Sequence, residues 1–139
     1  MKKRLLSLLL LALACTFTAT LHAKSKLEKR YDYTLKNLKL DKETEAKFAP
    51  VLKAYLTERK AANDKYDDLK DKYKSAEKAG TLTDSQATQL IEAKMECAAK
   101  DLEVRKKYYD LFRKVLKPKK VYYAFDLAND KMSKIEGKD

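Results

Sequence analysis

The chain has 139 residues, 45% hydrophobic and 38% charged, with 2 Gly, 2 Pro, 2 Cys, 1 His, no Trp and a net charge of +11. So few Gly and Pro cannot supply the turns of a sandwich, a barrel or a doubly wound sheet, whereas Lys, Ala and Leu in this abundance make long amphipathic helices. The length holds one domain.

Residues 1–23 read as a signal peptide. Met1-Lys2-Lys3-Arg4 is a positive start, Leu5 to Ala14 an almost pure Leu/Ala run, and Thr16 to Ala23 a small, polar close. That three-part order places cleavage after Ala23 and exports the remaining protein. A retained membrane anchor is one alternative, although the apolar run falls short of the ~20 residues that span a bilayer; lipid attachment at Cys15 is the other. Ala12-Leu13-Ala14-Cys15 departs from the lipid-attachment pattern at Leu13, where a small residue is expected. Once the signal is cut, no stretch remains that would span a membrane.

Cleavage would also remove His22 and Cys15, leaving residues 24–139 with no His and with Cys97 as the single thiol. An intrachain disulfide, a His/Cys metal site and the usual nucleophile–His pairs are then excluded. No loop groups oxygen ligands at calcium-site spacing, and no Gly-rich loop would cradle a phosphate. The expectation is a protein without catalysis, cofactor or metal. Cys97 reads as a small buried hydrophobe, with intermolecular pairing as the other use.

Residues 24–139 carry 29 basic and 21 acidic residues, a net of +8. The excess falls in two places. Residues 24–40 hold 6 basic against 2 acidic, and residues 104–125 hold 8 basic against Asp110 alone. A field of this kind attracts acidic polypeptides, anionic lipid or nucleic acid; it also serves solubility. Export removes nucleic acid from the expected partners.

In chain order, Leu27, Tyr31, Thr34, Leu35 and Leu38 mark a short first helix. From Asp41, residues Phe48, Leu52, Tyr55, Arg59, Ala62, Tyr66, Leu69, Tyr73 and Ala76 recur at spacings of three and four, which predicts one long helix. Pro50 lies inside it and should kink it. Gly80 stands in the position of a C-terminal cap, and Thr83-Asp84-Ser85-Gln86 reads as a capping box that starts the next helix. There Ala87, Ile91, Met95, Ala98, Leu102, Arg105, Tyr109, Phe112 and Leu116 form the matching stripe. Leu90, Cys97, Val104, Tyr108, Leu111 and Val115 form a second apolar row beside it, to be covered by the end helices or a second subunit, or left open for binding. Pro118 opens a last helix carrying Val121, Phe125, Ala128, Met132 and Ile135.

Two long helices joined by a short turn lie antiparallel. Pairing about Thr81 sets Arg59 opposite Glu103 and Arg105 near Glu58, and gathers both basic stretches at the end distant from Gly80. The same end should be aromatic, with Tyr31, Tyr33, Tyr108, Tyr109, Phe112, Tyr122 and Tyr123.

Leu82-Thr83-Asp84-Ser85-Gln86 is a full match to the LTxxQ motif and resembles that of the Spy/CpxP family of small periplasmic proteins. The counterpart of that family's other motif is Leu40-Asp41-Lys42-Glu43-Thr44, where Asp41 and Thr44 replace Thr and Gln. Lys47 to Tyr55 and Tyr108 to Lys120 also resemble LTxxQ-like chains. The resemblance implies an all-helical hairpin that dimerises into a cradle. It also implies an ATP-independent chaperone for unfolded envelope proteins, or an accessory regulator of an envelope-stress sensor kinase. Leu40, Asp41, Leu82, Thr83 and Gln86 carry over as helix-starting structure, not as a client site. For clients, the candidates are Arg105, Lys106, Lys107, Tyr108, Leu111, Arg113 and Lys114. A Skp-like chaperone, also basic and helical, would need a β-rich trimerisation body, and no alternating strand segment is present.

Overall fold

The computed structural model describes residues 23–138, so the signal-peptide assignment and Cys15 lie almost wholly outside the described residues. It is all-α: α1 (Lys26–Leu38), α2 (Lys42–Ala79), α3 (Asp84–Arg113), α4 (Pro118–Asn129) and a single turn, α5 (Met132–Ile135). No described helix is long and apolar enough to cross a membrane.

The boundaries are set locally. Ser25 and Glu28 form a reciprocal capping box at the start of α1, and Thr83 and Gln86 form another at the start of α3. Asp41 caps α2 by accepting from the Thr44 amide at 2.9 Å and its hydroxyl at 2.7 Å. Gly80 ends α2 at φ 67°, where a side chain would be strained, and its amide returns to the last turn. Pro118 opens α4, where its missing amide is no loss. At ~1.5 Å per residue α2 is about 57 Å long. It runs without a break through Pro50, which is exposed and lies in the third turn.

α2 and α3 pack along each other, α1 lies against α2, α4 and α5, and α4 returns to touch α3. Arg59 with Asp101, Lys65 with Glu96 and Tyr73 with Gln89 all centre on Gly80–Thr81, which is the turn expected from sequence. The core is confined to the other end. It joins Leu38, Phe48, Leu52, Tyr55, Leu56, Tyr108, Phe112, Leu116, Val121, Ala124 and Ala128 and takes in nothing between Leu56 and Val104. A packed head of all five helices therefore continues into a two-helix stalk. Buried Tyr73, Ala93 and Cys97 seal the stalk.

Side chains lock the head by closing helix ends. Lys120 Nζ donates to the Leu38 carbonyl at 2.5 Å, and Arg30 Nη1 donates to the carbonyls of Ala128 and Asp130, both at 2.7 Å. These contacts satisfy the carbonyls that a helix leaves open at its C-terminus. Lys29 pairs with Glu136 at 2.7 Å and ties the C-terminal turn to α1. Hydrogen bonds from Lys29 and Lys138 hold the Glu136 carboxyl down to about 2. Buried Thr34 donates back to the Arg30 carbonyl at 2.8 Å.

Two details of the expected packing are corrected. Arg59 pairs with Asp101, its Nε donating at 2.7 Å, and not with Glu103. Asp101 also takes Arg105 at 2.7 Å, while Glu58 receives Lys107 and Tyr108, each at 2.8 Å, in place of Arg105. The reason is rotational: Glu103 follows Asp101 by two residues, more than half a turn around the helix, and faces away from α2. The second correction concerns the rows of α3. Its inner row is Ala93, Cys97, Asp101 and Tyr108, whereas Ile91, Met95, Leu102 and Tyr109 from the stripe expected inside are exposed. Only the end of that stripe, Phe112 and Leu116, is buried, where α4 packs against α3.

At the centre of the head, the Tyr55 ring is fully buried among Tyr108, Phe112 and Phe125, and its hydroxyl has no hydrogen-bond partner. Burial pushes this phenol above its usual range. Tyr55→Phe removes the orphan and keeps the ring. Equilibrium urea unfolding should show no loss, and up to about 1 kcal/mol of gain; a clear loss would mean the hydroxyl is satisfied in solution.

Candidate functional site

Two features converge on the outer side of α3. The first is the uncovered apolar row. Ile91, Met95, Leu102 and Tyr109 are 59%, 62%, 52% and 47% exposed, with Ala98 exposed between them. Steps of four, three, four and seven keep them on one side of the helix over about 27 Å, at ~1.5 Å per residue. The second is the cationic surface of the head, which the row enters at Tyr109. Arg113 stacks over the Tyr109 ring at 5.2 Å, and the two join Pro118, Val121, Tyr122, Phe125 and one carboxylate, Asp126, around an open cleft of about 520 Å³. Tyr122 and Tyr123 are exposed beside it.

The candidate client residues divide. Lys106, Arg113 and Lys114 are exposed, and among the described residues none of them pairs with a carboxylate. Arg105 is exposed but engaged with Asp101, and Lys107 with Glu58. Leu111 is half-buried against the core. Tyr108 is 3% exposed, with its hydroxyl donated to Glu58, so it belongs to the interior. Burial, reinforced by that bond, pushes the Tyr108 phenol up to about 12, and the Lys107 and Tyr108 donors hold Glu58 below its usual range. The missed residues are Ile91, Met95 and Leu102. Their regular spacing was visible, but it marks a seam equally well.

The helix-starting residues sit elsewhere. Thr83 Oγ1 accepts the Gln86 amide at 3.2 Å, and Gln86 Oε1 accepts the Thr83 amide at 3.0 Å. Both are at the tip of the stalk, far along the chain from the head, and all their described bonds are local. Leu82 is half-buried there; Leu40 packs against the core. Among the described residues, no group of acidic, Cys or His side chains could hold a metal ion.

Fold and surface together define a helical-hairpin protein with a packed head, a two-helix stalk, and an apolar row that leads into unpaired cations. No family model, curated protein or solved structure matches the chain.

Proposed function

We propose that this protein is an ATP-independent, holdase-like chaperone of the periplasm that binds unfolded envelope proteins on the outer side of α3. The observation that supports this reading is the uncovered row Ile91–Met95–Leu102–Tyr109 beside Lys106, Arg113 and Lys114. Its occupant is an unfolded segment of mixed apolar and acidic character. The cations draw such a chain in from a distance, and the separate apolar side chains hold it weakly and without sequence preference. Tyr suits this task because it offers area with a polar tip. Release needs no nucleotide when each contact is weak. The resemblance to the Spy/CpxP family points the same way and adds a homodimer as the acting form.

Light scattering of a denatured model protein, with residues 24–139 added and no ATP, tests the reading. Suppression of aggregation is expected at near-stoichiometric amounts and should weaken with salt. Met95→Ser with Leu102→Ser should raise the amount needed by about tenfold, and Lys106→Glu with Arg113→Glu and Lys114→Glu should flatten the salt dependence. Helicity should be unchanged, because these side chains cover no core. Unaltered suppression in both variants would remove clients from this surface. No suppression with any client, together with one saturable interaction, would instead favour the accessory regulator of a stress-sensor kinase.

A further inference from the structure

A second concave surface of the head lies between α1 and α2, shares no lining residue with the cleft at Tyr109, and is not used by the holdase reading. It is an open groove of about 730 Å³ that Asn129 and Met132 help to line, and its charges are of both signs, with the carboxylates Glu28 and Asp67 beside Lys26, Lys53 and Lys60. Its two walls repeat one pattern. Leu27 and Arg30 are three residues apart on α1, and Leu56 and Arg59 are three residues apart on α2; all four line the groove. Residues at that spacing are neighbours on a helix surface, about 5–6 Å apart between Cβ atoms. The groove therefore sets an apolar patch, Leu27 and Leu56 with Met132, directly beside two guanidiniums.

These two cations are not equivalent. Arg59 is engaged with Asp101 and Asn129. Arg30 uses only Nη1, on the Ala128 and Asp130 carbonyls, and among the described residues its Nε and Nη2 have no acceptor and no carboxylate pairs with it. The Asp130 carboxylate, whose charge acts on Arg30, is taken by Tyr33 at 2.7 Å and by Lys134 at 2.9 Å, and Glu28 accepts from the Ser25 amide at 2.8 Å. Burial, and then the neighbouring positive charge of Arg59, push the Arg30 guanidinium down from its usual value, and the Asp130 charge offsets this in part. With exposed Lys53 on the rim, the five cations of the lining outnumber Glu28 and Asp67.

From this juxtaposition we infer that the α1–α2 groove binds the C-terminal residue of an unfolded polypeptide, its carboxylate on Arg30 and its apolar side chain on Leu27, Leu56 and Met132. A C-terminal residue carries both groups on one Cα, which matches an apolar patch adjoining a cation. The apolar floor of three side chains can seat one terminal residue, and the rest of the groove, with Asn63 and Asn129 on its lining, can take the backbone that leads to it. A planar guanidinium with free donors is the side chain best matched to a carboxylate. The inference rests on the reading that the protein captures unfolded chains, and it adds a preference for chain ends.

The test uses the protein purified after export and a short fluorescent peptide ending in Phe, either as the free acid or as the C-terminal amide. Fluorescence anisotropy should show the acid binding about tenfold more tightly than the amide, since a charge-assisted hydrogen bond is lost in the amide. Arg30→Gln should erase the difference. That variant also loses a donor to the end of α4, so Lys53→Glu, on the exposed rim with no described partner for its ammonium, provides the second test. It should weaken the acid severalfold and leave the amide unchanged. Equal binding of acid and amide, or an acid preference that survives both substitutions, overturns the site. The two proposals separate cleanly. Aggregation suppression with no acid preference leaves the α3 surface and removes the groove; acid preference without suppression does the reverse.

Discussion

Phe112→Ala is expected to destabilise the protein by about 3–5 kcal/mol, which is a large share of the ~5–15 kcal/mol that holds a domain folded. Phe112 is fully buried at the meeting point of three helices. Its ring lies 4.8 Å from Phe48 and 5.4 Å from Tyr55 on α2, 6.2 Å from Tyr108 on α3 and 4.9 Å from Phe125 on α4. Each well-oriented aromatic pair adds roughly 0.5–1.5 kcal/mol beyond the area it buries. The hole cannot close easily, because its walls belong to helices fixed elsewhere by Arg30, Lys120 and the Asp101 cluster. The upper half of the range is therefore expected. Urea unfolding followed by circular dichroism measures the change. Phe112→Leu, which keeps most of the volume, should cost less than half as much, and Leu102→Ala on the open row should stay within about 0.5 kcal/mol. A loss below 1 kcal/mol for Phe112→Ala would mean that the head is loosely packed.

Asp101→Ala is expected to cost about 3 kcal/mol, for a different reason. The Asp101 carboxylate is almost buried and serves Arg59 and Arg105, each at 2.7 Å. Without it, Arg59, whose side chain is 19% exposed, keeps its charge in a poorly hydrated seam. Breaking a buried pair from one side typically costs 3–5 kcal/mol. The lower end applies because Arg105 is 43% exposed and can turn to water. Replacing both partners should reverse most of the loss: Arg59→Met with Asp101→Leu is expected to be close to wild type, since a well-packed apolar pair needs no desolvation. A double-mutant cycle from urea midpoints gives the coupling directly. If Asp101→Ala and the double variant were equally unstable, the seam would depend on the Arg59 stem rather than on its charge.

The Asp101 pair also explains where reading from sequence stops. Arg59 was recognisable as a polar break in an apolar stripe, and the need for an acidic partner across the turn followed. The register pointed to Glu103, and that the partner is Asp101 did not follow, because it depends on rotation of α3 about its axis. That rotation was undetermined along the chain: two apolar rows, a little over a quarter of a turn apart, both recur at helical spacing. The stripe through Ile91, Met95 and Leu102 is the more regular of the two, and it is the one left outside. The candidate surface was legible as a basic end distant from Gly80, but not in its members. Lys107, Arg105 and Tyr108 are engaged by Glu58 and Asp101, which lie forty or more residues away or on the next helical turn.

What the chain decides by itself is what neighbours in sequence can decide. Ser25 with Glu28, and Thr83 with Gln86, close their own helix starts; Gly80 and Pro118 stop and start helices through their own backbone limits. The four longer helices and the turn at Gly80–Thr81 follow. Which row of α3 is buried, which acid answers Arg59 and which cations stay free are decided only when α1 and α4 pack onto the hairpin. Burial of an apolar row is favourable on either side of a helix, and the side chosen is the one where Asp101 can neutralise Arg59 while α4 covers Phe112.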